Sequence, residues 1–95
     1  MTIVETPNLV DQVWESWEES KRPARPQEPV FLLEEKYHGK LSTVKFAEIA
    51  EAVKEKKVKH LLVTTLDDIC WMLNMRGSDI ACNPVFFANL IFDVE

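Results

Sequence analysis

Lys59-His60-Leu61-Leu62-Val63-Thr64-Thr65-Leu66-Asp67-Asp68-Ile69-Cys70-Trp71-Met72-Leu73-Asn74-Met75-Arg76-Gly77-Ser78-Asp79 is the stretch that decides the fold. Leu61, Leu62 and Val63 followed by two threonines predict a strand over residues 58–65. Its unbroken apolar character predicts cover on both faces. Thr65 stands where a helix cap belongs, and Asp67 and Asp68 fall in the first turn, where the helix dipole favours negative charge. Leu66, Ile69, Cys70 and Leu73 share one face, which predicts a helix over residues 66–73. Residues 74–84 read as a polar loop in which Gly77 supplies a turn. A long apolar strand over residues 85–94 follows, expected beside the first strand in one sheet.

Towards the N-terminus, Phe46, Ile49, Ala50 and Val53 recur at helical spacing, with Ser42 placed to cap that helix and an end expected near Lys57. Residues 34–40 are polar, with Gly39 as a break, and residues 30–33 form a short apolar run suited to a strand. Pro23, Pro26 and Pro29 recur every three residues, which suits an extended strip and excludes a helix. Val10, Val13, Trp14 and Trp17 fit one helical face, with Asn8 or Asp11 as its cap, and Ile3-Val4 reads as a short opening strand. The order of elements predicts one α/β or α+β domain, with an arm and proline-rich segment over residues 1–29 and a core over residues 30–95.

The chain has 95 residues and a formal net charge of -5, so one small core is available. An acidic balance argues against nucleic acid, whose affinity comes largely from phosphate neutralisation. Lys54, Lys56, Lys57 and Lys59 are interleaved with Glu48, Glu51 and Glu55, the pattern of a solvated helix face. No stretch approaches the roughly 20 apolar residues of a membrane span, and no secretory leader is visible. The two cysteines, Cys70 and Cys82, have no zinc-site spacing; a disulfide between them is neither demanded nor ruled out. A reducing, cytoplasmic setting is the expectation.

Chemistry-bearing residues are few. Asp67 and Asp68 could serve a metal or acid–base chemistry, but their place in a first turn explains them without a ligand. His38 and His60 are the only histidines and share no ligand spacing. Ser42 and Ser78 lack a nucleophile context, and two glycines cannot build a phosphate loop. The remaining candidate is the loop carrying Asn74, Arg76, Gly77, Ser78 and Asp79. Arg76 could clamp a carboxylate. Structurally it is expected to pair with Asp79 or Asp67, while Asn74 and Asp79 tie down the turn. Trp14, Trp17 and Trp71 could form an aromatic shelf, although anchoring is the commoner role.

The run from Thr64 to Ile80, followed by Asn83-Pro84-Val85-Phe86-Phe87, resembles a signature of the Xaa-Pro aminopeptidases. Asn8-Leu9-Val10-Asp11-Gln12-Val13-Trp14, then Arg22-Pro23 and the spaced prolines, is similar to a segment of their three-domain members. The resemblance spans nearly the whole chain. It implies a creatinase/prolidase N-terminal-like α/β fold, a mixed β-sheet with flanking helices, here incomplete, corresponding to the middle domain. It also implies a parent enzyme, usually homodimeric, that cleaves the bond before a proline in the second position of a peptide. That enzyme works with two divalent metals, usually manganese, held in a separate catalytic domain. None of the family's metal ligands or catalytic histidines has a counterpart here, so no catalytic and no metal residue is assigned. Asn74, Arg76, Gly77, Ser78 and Asp79 are then architecture or the rim of an active-site entrance, and the partners are the catalytic and N-terminal domains. Two other expectations stay open: a free-standing interaction module, and an enzyme using Asp67, Asp68 and a histidine.

Overall fold

A computed structural model describes residues 2–17 and 22–94. Helix α1 spans Leu9–Glu15, and Asn8 caps it by accepting the Val10 N–H at 3.0 Å. Among the described residues no regular structure precedes it, so Ile3 and Val4 make no strand there; both are exposed. An irregular strip carrying the three prolines leads to strand β1, Phe31–Leu32.

Helix α2, Glu35–His38, is a single turn inside the stretch read as merely polar, and it stops at Gly39, whose φ of 66° is left-handed. Helix α3 spans Ser42–Glu55, so Ser42 is its first residue and Leu41 occupies the cap position without a side-chain bond. The helix ends two residues before Lys57, which turns left-handed at φ 57°. Strand β2 is His60–Val63 and helix α4 is Leu66–Leu73. Thr65 holds the expected cap position of α4, though its side chain makes no cap bond.

Residues 74–84 are more ordered than a plain loop. Strand β3, Met75–Arg76, pairs antiparallel with β1, placing Leu32 opposite Met75 and Phe31 opposite Arg76. Ile80 and Asn83 form an isolated bridge. Strand β4 is Leu90–Asp93, shorter than expected, because residues 85–89 join no strand. It lies antiparallel to β2, with His60 opposite Asp93, Leu61 opposite Phe92, Leu62 opposite Ile91 and Val63 opposite Leu90. Both pairings among the described residues are antiparallel, where a mixed sheet was expected; α4 and the loop after it return the chain against β2.

The core lies between the β2–β4 sheet and helices α3 and α4. Val63, Ile69 and Met72 are its buried centre, with Phe46, Ile49, Leu61, Leu90 and Phe92 packed around them. The Phe46 and Phe92 rings meet with centroids 5.6 Å apart. Strand alternation sends Leu61, Val63, Leu90 and Phe92 inward. Leu62 and Ile91 face the other way and are 63% and 74% exposed. The expected cover on both faces is therefore absent among the described residues: the helices cover one face only.

Candidate functional site

The loop after α4 packs against the C-terminal end of that helix. Asn74 closes α4 in a left-handed conformation, φ 54°, which asparagine tolerates better than most residues. It then joins four segments. Its carbonyl accepts the Leu33 N–H at 2.8 Å, extending the β1–β3 pairing. Its side-chain Nδ2 donates to the Lys40 carbonyl at 3.0 Å, and its Oδ1 accepts from Lys45 Nζ at 2.5 Å.

Lys45 is the unforeseen member of this cluster. It projects from α3 and is only 2% exposed. Its ammonium donates to the Trp71 carbonyl at 2.6 Å and sits 4.4 Å from the centroid of the Trp71 ring. Burial lowers its pKa from the ordinary 10.5, and the charges of Arg76 and Lys40 lower it further. What holds the charge there is the carbonyl end of α4, where a cation is favoured. A lysine within a helix reads as solvated, and no pattern in the sequence distinguishes Lys45 from its neighbours.

Arg76 serves the same helix end. Its Nη1 donates to the Cys70 carbonyl at 2.9 Å and to its neighbour Met75 at 2.8 Å. The expected pairing with Asp79 or Asp67 does not form, since carbonyls at the end of α4 lie nearer than either carboxylate. Asp79 instead accepts the Glu28 N–H at 3.0 Å on one oxygen and the Phe87 N–H at 2.8 Å on the other. It thus clasps the proline-rich strip to the segment before β4. Gly77 is required by close approach and not by a turn: a Cβ there would lie 2.8 Å from the Phe86 Cβ. Ser78 is exposed, and its hydroxyl makes no hydrogen bond among the described residues.

The other candidates lie apart. Asp67 and Asp68 are exposed in the first turn of α4. His60 Nε2 stands 3.5 Å from an Asp93 oxygen on the open sheet face, and the Nδ1 of His38 is buried without a partner. Trp14 and Trp17 line a cleft with Leu9, Val10 and Val13, whereas Trp71 lines a separate groove with Leu62, Asp68 and Met72, so the three make no common shelf. Cys70 is buried and Cys82 exposed, and both are free thiols.

A family model described as the creatinase/prolidase N-terminal domain matches residues 21–95. The chain belongs to this family. A probable Xaa-Pro aminopeptidase P of Coprinopsis cinerea is 52% identical over 81 residues, which is 85% of this chain but 12% of that protein. Xaa-Pro aminopeptidase 1 of Dictyostelium discoideum is 43% identical over 89 residues, 93% of this chain and 14% of that protein. Among solved structures, the X-prolyl aminopeptidase of Caenorhabditis elegans, described as a cytosolic enzyme with a di-nuclear active site, matches with a TM-score of 0.81 and 34% identity. That match covers 98% of this chain and 14% of the nematode enzyme. The creatinase/prolidase N-terminal domain seen here therefore spans about one-seventh of the relatives it matches. A di-nuclear centre does not fit its side chains: no group of three or more His, Cys, Asp or Glu is placed to hold a metal among the described residues. No helix among them is long and apolar enough to cross a membrane.

Proposed function

We infer that this chain is the non-catalytic middle domain of an Xaa-Pro aminopeptidase, a metallopeptidase that releases an N-terminal residue preceding proline. Its role is structural: it docks against the catalytic and N-terminal portions and lines the entrance to an active site held elsewhere. The observation that carries this reading is the pattern of coverage. Relatives above 40% identity align with more than four-fifths of this chain, yet the aligned part is only 12–14% of their length.

The loop chemistry supports the same reading. Asn74, Arg76 and Asp79 spend their polar groups on carbonyls and N–H groups of this domain, and Gly77 on a close contact. That is the behaviour of architecture, with exposed Ser78 the member left to face a rim. Residues 1–29 act as an arm and residues 30–95 as the core. The parent enzyme is cytoplasmic, homodimeric and loaded with two manganese ions bound outside this domain.

Two measurements test the reading. Sequencing the transcript beyond the codon for Glu95 should find an open frame encoding aspartates, glutamates and a histidine that bind metal; an immediate stop codon would favour a free-standing interaction module instead. Manganese added to the purified chain should leave its melting temperature unchanged, since a ligand stabilises only the state it binds. A manganese-dependent rise removed by Asp67→Asn and Asp68→Asn would place a metal site on this domain and contradict the inference.

A further inference from the structure

Asn74 bonds both ends of one short segment. Its carbonyl accepts the Leu33 N–H at 2.8 Å, and its Nδ2 donates to the Lys40 carbonyl at 3.0 Å. Residues 33–40 lie between those bonds and carry α2. Segments whose ends meet in this way form compact surface loops. Within this one, Leu33 and His38 are half-buried and the rest are exposed, so little apolar packing holds it down. The Lys40 ammonium reaches Glu48 of α3 at 2.8 Å, but the two side chains are 45% and 55% exposed, where an ion pair contributes little. Two buried groups then act in opposite directions. Lys45 donates to Asn74 Oδ1, and because the amide is planar this aims Nδ2 at the Lys40 carbonyl. His38 Nδ1 is buried in the segment with no hydrogen-bond partner among the described residues. Such an atom regains a bond when it meets water, which favours opening.

We propose that residues 33–40 form a flap that opens as one piece, with Asn74 and Lys45 as its latch and the unpaired nitrogen of His38 as the group that favours opening. The flap is bounded by the β1–β3 pairing on one side and by the start of α3 on the other. A single helical turn is not stable alone, so α2 melts in the same event. The β2–β4 sheet keeps its own core of Val63, Ile69 and Met72 and stays formed. The flap borders the loop over residues 74–79, and for its place beside an entrance it rests on the function proposed above. Its opening is a property of this chain alone.

Native-state amide hydrogen exchange of the intact chain tests the flap. The N–H groups of Leu33, Tyr37 and Gly39 donate to the carbonyls of Asn74, Glu34 and Glu35, and that of Val94 donates to the Lys59 carbonyl in the sheet. The first three should exchange together, and faster than Val94. Low concentrations of urea should speed Val94 steeply and the other three little, because opening the flap exposes little surface. Lys45→Met should speed the three flap amides by about tenfold or more. Asn74→Gly, which keeps the left-handed turn and removes the amide, should do the same. His38→Leu, which removes the unpaired nitrogen, should slow them. Flap amides that match Val94 in rate and urea dependence would overturn the proposal. So would flap amides that ignore both Lys45→Met and Asn74→Gly, or that exchange no more slowly in His38→Leu. None of these readings depends on where an active site lies, so their failure would leave the proposed function standing.

Discussion

The ammonium of Lys45 on α3 donates to the side-chain oxygen of Asn74, 29 residues later, and to the carbonyl of Trp71. One buried cation thus fastens α3 to the end of α4 and to the loop behind it. Lys45→Met keeps the length of the side chain and removes its donors. Each stranded buried acceptor costs about 1–3 kcal/mol, so a loss of about 2 kcal/mol or more is expected in urea unfolding. Asn74→Ala should cost a similar amount, and the double variant less than the sum, because both remove the same bond. Strict additivity would show that the two residues act apart.

The lowered pKa of Lys45 makes a prediction of its own. In the unfolded chain the amine titrates near its ordinary 10.5, and in the folded chain below that. Between the two values the unfolded state binds more protons, so stability rises with pH across that alkaline window. Below the folded pKa the cost of burying the charge is fully present. The stability difference between the unaltered chain and Lys45→Met should therefore shift in favour of lysine as pH rises towards 10.5. A flat difference would mean that burial does not disfavour the ammonium.

The two glycines should respond to alanine for different reasons. At Gly77 the new Cβ would meet the Phe86 Cβ at 2.8 Å, and relief requires backbone movement. Overpacking of this kind costs about 1–3 kcal/mol. At Gly39 there is open space around the site, but φ is 66°. A side chain there costs about 1–2 kcal/mol through the left-handed backbone alone. Asparagine, which tolerates that conformation, should rescue position 39 and not position 77. Equal rescue at both would refute the contact reading of Gly77.

Asp79 holds the proline-rich strip by one oxygen and the lead into β4 by the other. Asp79→Ala should release the strip and speed proteolysis within residues 22–29, with a stability loss of about 1–2 kcal/mol for two charge-assisted bonds. Asp79→Asn keeps one acceptor oxygen and should retain about half of that. An unchanged cleavage rate in the alanine variant would show that the strip is held by other contacts, such as Arg25 over the Phe87 ring at 5.3 Å.

Much of this fold was legible because its elements carry strong local signals. The apolar spacing of α1, the cap position of Thr65 and the pairing of β2 with β4 all follow from pattern. The misses share a different cause. Strand β3 is two residues long and exists only because the chain brings Met75 beside Leu32 of β1, the short strand that the apolar run over residues 30–33 did suggest. The single turn of α2 has no periodicity to read. Lys45 looks like any surface lysine until α4 and Asn74 surround it. In the candidate loop, Asn74, Arg76 and Asp79 could be picked out from the sequence, but the groups they bond could not. Arg76 was expected to seek a carboxylate and found helix-end carbonyls, whose position depends on tertiary packing. The open face of Leu62 and Ile91 was misread because an apolar run says what a strand can bury, not whether a second layer is present.

The most direct test of the central claim is release of the N-terminal residue from an Xaa-Pro peptide by the purified chain alone, with manganese supplied. A non-catalytic domain predicts no release above the peptide-only control. Turnover that survives further purification and is abolished by a chelator would contradict it, and Asp67, Asp68 and His60 would become the residues to replace first.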